Sequence, residues 1–245
     1  FLIFQYSIPS FAATPSITPE QQAYLATYVR TYIAEANKYN YVYYDTYHDT
    51  ETSLNNEATS NGQIAFCCAS FCNAMLYQAL GAERLLEQDR NNEINLRVTG
   101  SFNPERNPSF NELTNEDILL PGDIITYSGY SIHSLIYIGC DPETGYHQVA
   151  ENGNRIITLD QFPPNRPIRY RDFILQTKWG QVSRLDPSIL EGEWEPKGYI
   201  TWPGGRTTQV SGYLVLTNWE EEELWYNGIA DLVYEGEAKT WLQLA

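Results

Sequence analysis

The segment Phe66-Cys67-Cys68-Ala69-Ser70-Phe71-Cys72-Asn73-Ala74-Met75-Leu76-Tyr77-Gln78-Ala79-Leu80-Gly81 carries one unbroken helical pattern. Cys68, Phe71, Cys72, Met75, Leu76, Ala79 and Leu80 fall at the three- and four-residue steps of a single apolar stripe. Gly81 supplies the left-handed stop that ends such a helix. The spacing therefore predicts a helix starting near Cys68, with this thiol in the first turn and on the stripe. That is the positive end of the helix dipole, where a thiolate is favoured. Cys72, one turn further in, is expected in the core, whereas Cys67 lies about 100° around the helix and off the stripe.

Working outward, Thr18-Pro19-Glu20 reads as a helix cap and first turn. Apolar residues then recur at Tyr24, Leu25, Tyr28, Val29, Tyr32 and Ile33, which predicts a helix to about Lys38. Tyr41 to Tyr44 reads as a short aromatic strand or turn. Asp45 to Gly62 is polar and reads as a loop over a cleft rim, with His48 a solvated member of it. Arg90 to Asn115 reads as a second long polar connection. Leu120-Pro121-Gly122-Asp123 turns into a strand over Ile124 to Tyr127, followed by a strand over His133 to Gly139. Alternation puts His133, Leu135 and Tyr137 on one face of that strand and Ser134, Ile136 and Ile138 on the other. Tyr146 to Glu151 reads as a third strand, ending at Asn152-Gly153-Asn154. Helices first and an antiparallel meander afterwards make the fold class α+β.

The two ends read differently from this middle. Residues 1–17 open with an apolar run, Pro9 and small residues at Ser10 and Ala12, the pattern of a secretory-signal remnant or of an N-terminal arm. The 18–185 region is the catalytic-domain candidate. Residues 190–245, with Gly198 to Trp202 and Gln209 to Thr217 as a hairpin, read as a small all-β, sandwich-like module cut short by the chain's end.

With 31 acidic and 15 basic residues in 245, the formal charge is −16, which excludes nucleic acid as the expected partner because phosphate contacts need clustered Lys and Arg. No stretch is long enough to span a membrane. A secreted, monomeric protein is expected. Three of the four cysteines fall at 67, 68 and 72, with the fourth at 140, so they suggest a site or a core rather than a disulfide scaffold.

A thiol at a helix start and a histidine at the start of a downstream strand are what a cysteine nucleophile needs. The sulfur attacks, the imidazole moves the proton, and a third polar group orients the imidazole. Zinc is the rival use of Cys67, Cys68, Cys72, Cys140 and His133, but the spacing lacks a Cys-x-x-Cys knuckle. No metal and no organic cofactor is expected. His147, near the turn before its strand, reads as structural.

Three motifs resemble the NlpC/P60 family of papain-like cell-wall peptidases. Phe66-Cys67-Cys68-Ala69-Ser70-Phe71 is similar to its Phe-Asp-Cys-Ser-Gly-Phe signature. Leu120-Pro121-Gly122-Asp123 is similar to its Pro-Gly-Asp segment, and His133-Ser134-Leu135-Ile136-Tyr137-Ile138-Gly139 to its His-Val-Gly-Ile-Tyr-Ile-Gly strand. The resemblance implies a papain-like fold, a helix bearing the Cys packed on an antiparallel sheet bearing the His. It makes Cys68 the nucleophile and His133 the general base. Glu151 fits the third position best and Asn152 second; the related CHAP amidases carry Glu or Asn there. Tyr41 matches the family's tyrosine beside the nucleophile, a substrate-binding position. Cys67 and Ser70 depart from the family's Asp and Gly. The implied activity is an exported cysteine hydrolase cleaving amide bonds in bacterial peptidoglycan stem peptides. Its alternatives are an amidase or acyltransferase on the same scaffold, and a catalytically inactive glycan- or protein-binding adhesion protein.

Overall fold

The computed structural model describes residues 13–45, 49–127, 132–190 and 194–210 in full, and the backbone of 128, 212–220 and 223–232. The apolar run at 1–12 and His48 lie outside the described residues, as does the chain after 232.

Helix α1, Pro19–Tyr39, begins where the cap pattern places it. Thr18 and Gln21 form a reciprocal capping box, and Asn40 closes the helix in the left-handed region at φ 54°. Helix α2, Thr50–Leu54, is a single turn capped by Asp49. Helix α3, Cys68–Leu80, runs over the residues its periodicity predicts and stops at Gly81 with φ 69°. Helix α4, Glu83–Arg90, follows at once.

Strands β1, Val42–Tyr44, and β2, Ile64–Phe66, pair in parallel, with Tyr44 opposite Phe66. The main sheet has six antiparallel strands: β3, Phe110–Glu112; β4, Ile124–Ser128; β5, Ile132–Cys140; β6, His147–Glu151; β7, Arg155–Thr158; and β8, Val182–Leu185. Their spatial order is β3-β8-β4-β5-β6-β7. Helix α5, Tyr170–Thr177, precedes β8.

One face of the sheet presents Ile124, Ile136, Ile138 and Ala150 to the core formed with α1 and α3. The other presents Ile125, Leu135, Tyr137 and Val149 to a second core that includes Phe162 and Phe173. The alternation expected for β5 is the one observed. The architecture is thus α+β, and among the described residues no helix is long and apolar enough to cross a membrane.

Three expectations change. The polar stretches at 45–62 and 90–115 are not bare loops: α2 seats the fully buried Leu54, and β3 pairs with β8 to close the sheet. The hairpin of β9, Tyr199–Thr201, and β10, Thr207–Gln209, does not stand apart as a module. Its Ile200, Trp202 and Val210 are buried in the core built on α1 and α3. The Trp202 ring lies 4.7 Å from the rings of both Tyr32 and Tyr41. Beyond it, β11, Gly212–Glu220, and β12, Glu223–Leu232, form an antiparallel ribbon. Residues 13–17 behave as an arm of the domain. Ile17 is buried, the Thr14 N–H donates to Asp117 at 3.0 Å, and the Thr14 carbonyl accepts from Arg184 at 3.3 Å.

That arginine is the buried anchor of the Pro-Gly-Asp segment. Asp123 and Arg184 are both almost fully buried and pair through two hydrogen bonds of 2.8 and 2.9 Å. Arg184 also donates to the Ile118 carbonyl at 2.6 Å, and Asp123 accepts from the Leu120 N–H at 2.8 Å. Removing one member leaves a buried charge uncompensated. Arg184→Met should therefore cost about 3–5 kcal/mol in urea unfolding, and Arg184→Met with Asp123→Leu should recover most of that loss.

Candidate active site

The start of α3 is built by its own first four residues. Cys67 is the N-cap; its sulfur accepts from the Ser70 N–H at 3.4 Å, and its N–H donates to the Ser70 hydroxyl at 2.9 Å. The Cys67 thiol donates in turn to the Arg97 carbonyl at 3.2 Å. Cys67 is therefore buried in the cap and not turned outward as helical geometry from Cys68 suggested, because the N-cap residue does not have helical backbone angles. Cys68, the first helical residue, is partly exposed, and Cys72 is fully buried.

Three side chains meet beyond that helix start. His133 sits at the beginning of β5, beside Cys68 and close enough for its charge and hydrogen bonding to act on the thiol. Its Nε2 meets Glu151 Oε2. Glu151 ends β6, with its side chain only 9% exposed, and the pairing of Ile136 with Ala150 sets it on the same sheet face as His133. The other carboxylate oxygen, Oε1, takes Arg155 Nη1 at 3.1 Å.

The electrostatics favour a charged pair. Burial works against a Cys68 thiolate, but the hydrogen bond and charge of His133, with the N–H groups of Ser134 and Ala69, outweigh it and hold the thiol below its ordinary value. The hydrogen bonds to Cys68 and then Glu151 raise His133 to about 9 against the cost of burial. Glu151 is held below the usual carboxylate value, first by its bond to His133. Both shifts run in the direction that favours a thiolate on Cys68 and a cation on His133.

The remaining candidates take other places. His147 is buried in the second core, with Nδ1 accepting from the Tyr137 hydroxyl at 2.5 Å and Nε2 donating to the Arg166 carbonyl at 2.7 Å. Burial lowers it to about 4, so it stays neutral. Asn152 forms the β6–β7 turn at φ 52° and makes no bond to His133. Cys140 lies at the far end of β5 from His133, beside His147, so the zinc set drawn from the sequence is not assembled.

Tyr41 is also engaged elsewhere, stacked between Tyr39 and Trp202 with its hydroxyl accepting from Arg206 at 3.0 Å. The tyrosine beside the thiol is Tyr44, 60% exposed, whose phenol is raised by desolvation and then by the neighbouring cysteine sulfurs, Cys68 first. The parallel register of β1 and β2 puts it there, and nothing in the local sequence announces that register. No family model, curated protein or solved structure matches the chain.

The β6–β7 turn locks the two halves of this constellation together. Gly153, at φ 76°, lies so close to β1 and β2 that a Cβ would stand 2.8 Å from the Phe66 ring and 3.0 Å from Val42. Gly153→Ala should therefore lower stability by about 1–3 kcal/mol and slow Cys68 alkylation by displacing Glu151. In the wild type, iodoacetamide should alkylate Cys68 at a lower pH than ordinary thiols. His133→Ala should move that onset upward, since it removes the cation that stabilises the thiolate.

Proposed function

We propose that this chain is an exported, papain-like cysteine hydrolase of the NlpC/P60 type, acting on amide bonds of bacterial peptidoglycan stem peptides. The observation that carries the reading is the juxtaposition of Cys68, at a helix start, with His133, whose Nε2 in turn bonds Glu151. The substrate class comes from the three motifs that resemble that family.

In this reading the Cys68 thiolate attacks the amide carbonyl carbon and forms a tetrahedral adduct. The adduct's oxyanion faces the N–H groups at the start of α3, with the Tyr44 hydroxyl beside the sulfur as a second donor. His133 gives its proton to the departing amine nitrogen, the C–N bond breaks, and a thioester on Cys68 remains. Water then attacks the thioester while His133 takes its proton. The carboxylic acid leaves and the thiolate–imidazolium pair is restored. Glu151 holds the imidazole through Nε2 and stabilises its positive charge.

The sign of the pH dependence follows. The active pair needs an ionised Cys68, lowered from the ordinary thiol value, and a protonated His133, raised to about 9. Activity should fall as pH drops through the lowered thiol value and again as it rises through about 9.

Purified peptidoglycan digested by the wild type and by Cys68→Ala, with fragments read by mass spectrometry, tests the reading. Fragments ending in a new carboxylate should appear with the wild type alone, and Glu151→Gln should be slowed by about 10²-fold or more. A folded wild type that releases nothing from several wall chemistries overturns the proposal.

A further inference from the structure

Arg155 has no counterpart among the residues the sequence motifs single out, yet it is built onto the same carboxylate. It begins β7, directly opposite Glu151 in the β6–β7 register, and the turn between them is Asn152-Gly153-Asn154. Backbone angles of φ 52° and 76° at Asn152 and Gly153 set that turn, and Gly153 is pressed against Phe66 and Val42. The Arg155 side chain is 67% exposed, whereas that of the carboxylate it meets is 9% exposed.

We propose that Arg155 is a positioning residue of the site: it clamps Glu151 Oε1 so that Oε2 stays on His133, and its charge sets the ionisation window of the Cys68–His133 pair. The inference rests on Cys68, His133 and Glu151 acting as one unit, but not on which substrate they act upon.

The physical case has two parts. A glutamate has three side-chain torsions, and one hydrogen bond to an imidazole does not fix them. The second bond, from a strand in fixed register, removes that freedom from the carboxylate rather than from the imidazole it must orient. The second part is charge. Among the described residues, the ionisable groups near the sulfur include Cys67 at the cap of α3, Cys72 on α3, Tyr44 on β1, His133 on β5 and Glu151 on β6, with Arg155 on β7 paired to Glu151. Arg155 is the cation paired with Glu151, and it offsets a carboxylate that would otherwise oppose the thiolate.

A surface ion pair contributes little to stability, so removing this one should leave the fold intact. Its loss should instead show in the chemistry of the site. Both the missing charge and a freed Glu151 push Cys68 in one direction, towards a higher pKa. The charge is exposed, so salt should mimic its removal.

The test is the pH dependence of Cys68 alkylation by iodoacetamide in Arg155→Met and Arg155→Lys, with Cys67→Ser, Cys72→Ala and Cys140→Ser in every background to isolate one thiol. Arg155→Met should keep the melting temperature of its parent and move the acid limb up by about half a pH unit. Arg155→Lys should restore it. Going from 50 mM to 1 M salt should move the limb upward in the parent and scarcely in Arg155→Met. A methionine variant whose profile overlays its parent, or a lysine variant that fails to restore it, overturns the proposal. Because the reagent reads the thiol without a substrate, failure here is distinct from failure to digest peptidoglycan.

Discussion

The contact between the β6–β7 turn and the β1–β2 pair is the constraint from which the rest of the site follows. The thiol is carried by a helix in one layer, while the imidazole and the carboxylate are carried by a sheet in another. Two packed layers can slide by an ångström at small cost, and a proton relay cannot tolerate that slide. Gly153 removes the freedom. Its missing side chain lets the turn close onto Phe66, the residue two positions before Cys68, and so ties the end of the Glu151 strand to the strand that feeds α3. A residue with a Cβ at that point would hold the two layers apart.

Given that alignment, groups of opposite charge preference alternate: thiol, imidazole, carboxylate, guanidinium. The sequence matters here because the chain as a whole carries a formal charge of −16. A diffuse negative field raises thiol pKa values, yet Cys68 lies below the ordinary value. The local arrangement prevails because His133 is in hydrogen-bond contact and half-buried, where charges interact far more strongly than across screened solvent. The acidic surface then bears on solubility and on which polymers the protein approaches, and hardly on the ionisation of its centre.

Much of this was legible from the residues, for a physical reason that also explains what was not. Helix α3 and strand β5 bury long periodic stripes, so their positions, the location of Cys68 in the first turn and the two-sidedness of the His133 strand could be read from spacing alone. The short helices α2, α4 and α5 could not. Each bears only a few buried side chains, such as Leu54 or Phe173, and owes its helicity to tertiary packing rather than to a local pattern. The same holds for the hairpin of β9 and β10. Its own sequence reads as a free β-unit, and only the stacking of Trp202 on Tyr41 and Tyr32 assigns it to the main core. Tyr41 and Tyr44 differ in fate because a parallel pairing with a strand twenty residues away decides which one faces the sulfur. Long-range register of that kind leaves no local trace.

The cysteine at the cap is the departure whose consequence is most specific. Cys67 stands where the resembling signature has an acid, and an aspartate is the stronger helix cap by general rule. Here, however, the cap side chain is buried and adjoins the nucleophile. A carboxylate in that place would face Cys68 in a poorly solvated setting and oppose its ionisation. The thiol satisfies the Ser70 N–H while its own hydrogen is held by the Arg97 carbonyl. Ser70 completes the exchange: its hydroxyl, absent from a glycine, accepts from the Cys67 N–H and returns the rigidity that a weaker sulfur acceptor forfeits. The residues at 67 and 70 therefore act as one, keeping the helix start firm beside the Cys68 sulfur.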